Sequence, residues 1–278
     1  MFGATVAEGQ VDSAGRTVCQ APDTDTQGPL KVLVKQGGDA STFDYEYYAS
    51  PRIARIWPSR GDVHGGTLVS VGGDGLRAGG VQCRFGNAGV VRGENAKYLT
   101  STLVACIAPS AASEGRVLVD LSLNEGVDFA RLGFEFIYEA AATVEELRPS
   151  RGLSGSAGVT VVGRHFARSE ELKCRFGLDV QVAAIFTSST EIVCRAPERG
   201  EGVVRVSVSN NGAELGRGEV KFEYAVSGHV VSIVPSKGPT SGSTRVTLHG
   251  EGRKAVEVSG AMCVFGKMEA GQSRKEVH

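Results

Sequence analysis

The sequence predicts an all-β chain of tandem antiparallel sandwiches, and three observations predict it. A short pattern recurs along the 278 residues, opening at Pro58-Ser59-Arg60-Gly61, Pro149-Ser150-Arg151-Gly152 and Pro235-Ser236-Lys237-Gly238, a period of 86 to 91 residues. Apolar residues alternate with polar ones over short stretches, the signature of strands with one face buried. Turn formers interrupt these stretches every 8 to 12 residues, with 38 glycines and only 6% aromatic residues, and no 12-residue window keeps a helical period.

Three further marks travel with the opening. Cys-x-Phe-Gly occurs at Cys83-Arg84-Phe85-Gly86, Cys174-Arg175-Phe176-Gly177 and Cys263-Val264-Phe265-Gly266, and Cys-x-Ala-Pro begins at Cys19, Cys106 and Cys194. An aromatic tail closes at Tyr47, Tyr138 and Tyr224. Residues 1–49 carry only the last two marks, and residues 225–278 only the opening and the first cysteine. The chain therefore reads as a window on a longer array: a trailing half at 1–49, complete units at 50–138 and 139–224, and a leading half at 225–278. A unit of about 88 residues buries one modest core, which a covalent staple would assist.

The elements follow in order. Leu30, Val32 and Val34 alternate with Lys31, Leu33 and Lys35 in the first half-unit. Early in each later unit a strand runs through Val69/Val71, Val159/Val161 or Val246/Leu248 and stops at Gly73, Gly163 or Gly250. A later strand alternates Val117, Val119, Leu121 and Leu123 with Leu118, Asp120 and Ser122; its counterpart alternates Val204, Val206 and Val208 with Arg205, Ser207 and Ser209. Asn124-Glu125-Gly126 and Asn210-Asn211-Gly212 follow these strands, where a tight turn needs positive φ. Such spacing reads as an antiparallel sandwich.

Both complete units place their cysteines on two predicted strands, Cys83 with Cys106 and Cys174 with Cys194. As disulfides, each would contribute about 3 kcal/mol in the loop-entropy account and imply an oxidising compartment. Cys19 and Cys263 are then unpaired by truncation, their partners lying outside the sequence. The competing reading is six buried thiols.

Taken together, Ile56-Trp57-Pro58-Ser59-Arg60-Gly61, the strand Val159 to Phe166, Cys-Arg-Phe-Gly, Cys-Arg-Ala-Pro and the closing Phe222-Glu223-Tyr224 resemble the IPT/TIG family, the immunoglobulin-like domain shared by plexins and certain transcription factors. The family's Phe after the turn, Phe166, is Leu76 in the preceding unit and Arg253 in the last. The resemblance covers essentially the whole chain. It implies tandem early-set immunoglobulin-like sandwiches, two complete and two partial, on extracellular proteins, with no catalytic residue and no cofactor.

Other constellations are weaker. The five histidines lack metal-ligand spacing, so no metal is expected. Gly152-Leu153-Ser154-Gly155-Ser156 departs from a nucleophile elbow, and Gly73-Asp74-Gly75 lacks the helix a dinucleotide site needs. Asp23-Thr24-Asp25-Thr26-Gln27-Gly28 begins like a calcium loop, but its twelfth position is Val34 rather than a carboxylate. Trp57, the sole tryptophan, is expected to pack at the joint between units. No N-glycosylation sequon occurs at the asparagines of these loops.

With 30 basic and 31 acidic side chains, no run of like charge marks a nucleic-acid surface. No stretch is long and apolar enough to span a membrane, so any anchor would lie outside this chain. The expected function is a non-enzymatic structural and recognition segment of a large cell-surface or secreted protein. Its expected partners are neighbouring repeats of the same chain and a protein or glycan ligand. A carbohydrate-binding appendage of a polysaccharide-active enzyme and an intracellular DNA-binding module are the alternatives.

Overall fold

A computed structural model of the chain describes residues 5–36, 38–153, 155, 158–225, 229–251 and 263. Met1-Phe2-Gly3, Ser154, Ser156, Arg253, Val264-Phe265-Gly266 and His278 lie outside them. The described residues form strands joined by turns, with one short 3-10 turn at Gly93–Asn95.

The chain opens with β1 (Gln10–Val11), β2 (Thr17–Val18), β3 (Gly28–Gln36) and β4 (Asp39–Tyr47). β1 pairs with β2 and β3 with β4, each antiparallel. Among the described side chains of residues 5–49 none is buried, and Val34, Phe43 and Tyr45 remain at least 40% exposed. The predicted alternation forms the β3–β4 hairpin, with no buried core around it among the described residues.

The first complete sandwich comprises β5 (Arg52–Trp57), β6 (Arg60–Asp62), β7 (Leu68–Asp74), β8 (Gln82–Phe85), β9 (Gly89–Arg92), β10 (Ala96–Thr100), β11 (Leu103–Ile107), β12 (Gly115–Ser122) and β13 (Ala130–Glu139). Its two sheets run β10-β11-β7-β5 and β6-β13-β12-β8-β9. The core between them gathers Val69, Val71, Phe85, Val104, Val119, Leu121, Phe136 and Tyr138. Rings pack edge to face along Phe85, Phe136 and Tyr138, with centroids 5.5 and 5.0 Å apart.

The second sandwich comprises β14 (Thr143–Arg148), β15 (Arg151–Leu153), β16 (Val159–Arg164), β17 (Lys173–Phe176), β18 (Val180–Phe186), β19 (Glu191–Cys194), β20 (Gly202–Ser209) and β21 (Val220–Ala225). Its core repeats the first, with Val159, Val161, Phe176, Ile192, Val206, Phe222 and Tyr224. The edge-to-face file of Phe176, Phe222 and Tyr224 has spacings of 5.7 and 5.0 Å. Here the strands form one continuous sheet, because β18 pairs with β17 through Val180 to Ala183 and with β19 through Ala184 to Phe186. The same stretch in the first sandwich is broken into β9 and β10 by the turn at Gly93–Asn95. That three-residue turn accounts for the difference between the two cysteine separations, 23 and 20. The chain ends its described part in the hairpin of β22 (His229–Val234) and β23 (Thr247–Glu251).

Local features explain the recurring residues. The early strands run one residue past Gly73 and Gly163, where glycine is needed because a Cβ would sit 2.2 Å from the Arg52 carbonyl oxygen and 1.9 Å from that of Thr143. Leu76 and Phe166 occupy the same position after that turn and are equally buried. The expected turns carry positive φ, +62° and +84° at Glu125 and Gly126 and +70° at Gly212. The prolines of all three openings, Pro58, Pro149 and Pro235, follow cis peptide bonds, which nothing in the residue pattern announces.

The strict alternation of β12 and β20 needs correction. Leu118 and Arg205 are exposed as expected, yet Asp120, Ser122, Ser207 and Ser209 on the same face are buried. In the first sandwich the following loop folds back over that face: the Gly126 N–H donates to Ser122 Oγ at 3.0 Å, and Phe129 lies over Arg84.

Candidate functional site

In the structure Cys83 on β8 bonds Cys106 on β11, joining the two sheets of the first sandwich. Cys174 on β17 bonds Cys194 on β19 at the matching place in the second. All four side chains are fully buried, so each bridge sits inside its core. Cys19 and Cys263 are free and exposed. The hydroxyl of the closing tyrosine has a repeated partner: Tyr47 donates to the Pro22 carbonyl at 2.7 Å and Tyr138 to the Pro109 carbonyl at 2.9 Å. The Cys-x-Ala-Pro mark thus supplies both a half-cystine and the acceptor of the tyrosine hydroxyl. Burial pushes the Tyr138 phenol up to about 12. Burial also raises Tyr224, with the Arg199 guanidinium opposing it, but the Tyr224 hydroxyl is enclosed and finds no hydrogen-bond partner among the described residues.

The residues singled out for chemistry do not assemble. No group of three His, Cys, Asp or Glu side chains that could hold a metal occurs among the described residues. Asp23 and Asp25 are exposed in the segment before β3. His64 is tied to its neighbour, with Nδ1 2.7 Å from Asp62 Oδ1. Trp57 is 45% exposed at the end of β5. No helix among the described residues is long and apolar enough to cross a membrane.

What the sequence reading missed is polar chemistry on the outer face of the sheet containing Cys-x-Phe-Gly. In the first sandwich Arg84 stands directly across from Asp120 in the β8–β12 pairing. Its Nε and Nη2 donate to Asp120 Oδ2 at 3.0 and 2.5 Å, while the guanidinium lies 4.3 Å above the Phe129 ring. In the second sandwich the register is the same, but Arg175 faces Ser207. The Arg175 Nε is buried without a hydrogen-bond partner among the described residues. Arg175, Arg199 and Arg205 line a cavity of about 320 Å3 together with Gly177, Leu178, Asp179, Val203 and Glu219. Arg205 Nη1 is held by Glu219 at 3.0 Å, and Asp179 is exposed at the β17–β18 turn.

The fold and its staples define a class, the tandem immunoglobulin-like sandwich with a disulfide buried in each core. The sequence model of the IPT/TIG domain matches residues 51–136 and 142–224, and the chain belongs to that family. Among relatives, Fibrocystin-L of Mus musculus is 24% identical over 232 residues, covering 81% of this chain and 5% of the relative. Plexin-A3 of Rattus norvegicus is 26% identical over 200 residues, covering 66% of this chain and 10% of the relative. The chain thus spans a small part of the proteins it matches. Among solved structures, the full extracellular region of plexin A4 aligns with a TM-score of 0.42 at 21% identity, covering 72% of this chain and 18% of that one.

Proposed function

We propose that this chain is a non-enzymatic recognition and spacer segment of a large cell-surface or secreted protein, its tandem sandwiches serving adhesion or ligand binding. The observation that carries this reading is the buried disulfide recurring at one place in both sandwiches, which in an IPT/TIG chain suits an oxidising compartment. Residues 1–49 and 225–278 are the trailing and leading halves of further repeats, and neighbouring repeats are the first partners. A protein or glycan is the second partner. Membrane attachment, where the parent protein has it, comes from regions outside this chain.

One measurement tests the extracellular reading directly. Titration with duplex DNA at low salt gives no binding; saturable binding overturns the extracellular reading, because phosphate contacts dominate any nucleic-acid affinity under those conditions. The exposed Trp57 supports a second reading, a carbohydrate platform. Retention on an insoluble polysaccharide that is lost in Trp57→Ala would favour it.

A further inference from the structure

We propose that the arginine-lined cavity of the second sandwich binds a carboxylate side chain of a partner protein, presented beside an apolar residue. This deepens the recognition reading above and rests on it. The internal comparison supplies the argument. One arginine of Cys-Arg-Phe-Gly is present in both sandwiches at the same register position, Arg84 and Arg175. In the first sandwich a carboxylate of the chain itself, Asp120, takes two of its N–H donors. In the second that acid is a serine, so the arginine is kept and its partner removed, leaving a buried Nε–H with no acceptor among the described residues. Arg175 also lines the cavity, so its half-buried guanidinium turns the other N–H donors of its planar fork toward a carboxylate that enters there.

The surroundings change in the same direction. Two residues beyond the Cys-x-Ala-Pro proline the first sandwich has Ala111 and the second Arg199. The residue whose carbonyl accepts from the glycine of Cys-Arg-Phe-Gly is Leu118 in the first and Arg205 in the second. Gly177, with φ +73°, makes room for this arrangement: a Cβ there would sit 2.9 Å from Arg199 Nη1. Three arginines thus line the cavity against two carboxylates, one of which, Glu219, is engaged with Arg205. The rim is apolar, with Leu178 82% and Val203 60% exposed. A basic slot with an apolar rim complements an acidic peptide segment carrying a neighbouring apolar side chain; a sulfated glycan offers charge but nothing to cover Leu178 and Val203.

The test follows the Arg175 Nε–Hε resonance of the isotopically labelled whole chain during titration with acetyl-Leu-Asp-Leu-amide. Parallel titrations use the Asn analogue, inorganic sulfate and a heparin-derived disaccharide. The expected result is a saturable shift with the Asp peptide in the millimolar range and none with its Asn analogue. Ser207→Asp, which restores the pairing of the first sandwich, weakens that response about tenfold or more, as loss of one charge-assisted pair requires. Arg175→Gln abolishes the peptide's effect on backbone resonances around Gly177. No response to the Asp peptide, an equal response in Ser207→Asp, or a response confined to sulfate and the disaccharide would each overturn the proposal. The titration reads one arginine, so its failure leaves the recognition reading to the DNA titration above.

Discussion

The two complete sandwiches share an interior and differ on an exterior face, and the contrast separates what specifies the fold from what is left for recognition. Inside, the phenylalanine pairs, closing tyrosines and half-cystines recur residue for residue. Arg60 and Arg151 at the two openings behave alike as well. Each leaves Nε without a hydrogen bond while its guanidinium meets an acid on the closing strand, Glu139 at 2.9 Å or Glu223 at 3.7 Å. Outside, the first sandwich closes its charges on itself through Arg84 and Asp120, and the second leaves Arg175 unmatched. A core position changes only at the cost of packing, whereas an outer-face position can exchange a carboxylate for a serine and keep the fold.

If the interiors are equivalent, the largest effects should be equal in both sandwiches. Phe85→Ala and Phe176→Ala should each cost about 3–5 kcal/mol in denaturant unfolding of the affected sandwich, because both rings are fully enclosed. A clear inequality would break the equivalence. Replacing Cys83 and Cys106 by Ala, or Cys174 and Cys194, should cost about 3 kcal/mol in either sandwich, since loops of 23 and 20 residues differ little in closure entropy.

The outer face should then divide them. Asp120→Ser in the first sandwich should cost about 1 kcal/mol, a figure discounted because Arg84 is 38% exposed, while Ser207→Asp should stabilise the second by a smaller amount. Thermal unfolding of the two variants gives opposite shifts on this account.

The tyrosine hydroxyls give the smallest contrast. Tyr138→Phe loses a bond to Pro109 and should cost about 1 kcal/mol, whereas Tyr224→Phe removes an unpartnered hydroxyl and should be close to neutral. A pH titration sharpens it. Tyr138 has its folded value raised from 10.0 to about 12, so its contribution is complete below pH 10 and is lost as the pH rises toward 12. That alkaline loss should be smaller in Tyr138→Phe.

Much of this fold was legible because repetition supplied its own control. The period, the cysteine positions and the glycines near the ends of the early strands each appear more than once, so coincidence was excluded without coordinates. The Asn-Glu-Gly and Asn-Asn-Gly turns were legible from local backbone chemistry alone. The outer-face chemistry was not, because Arg84 and Asp120 lie 36 residues apart and become neighbours only through strand register. A signal existed: aligning the units on their alternating strands, Val117 and Val119 against Val204 and Val206, sets Asp120 against Ser207 while the arginine is retained. The 3-10 turn at Gly93–Asn95 was also encoded, as the three extra residues between the first pair of cysteines, but a length difference does not say which strand it interrupts. Burial of Ser122 escaped the alternation rule because the rule sees a strand and not the loop that folds back over it.

The measurement that bears most directly on the account is disulfide mapping of the native parent protein, with free thiols alkylated before digestion and linked peptides read by mass spectrometry. The account predicts Cys83 joined to Cys106 and Cys174 joined to Cys194, as befits a chain matured in an oxidising compartment. Alkylation of all four as free thiols would contradict it and return the chain to the cytosol or nucleus.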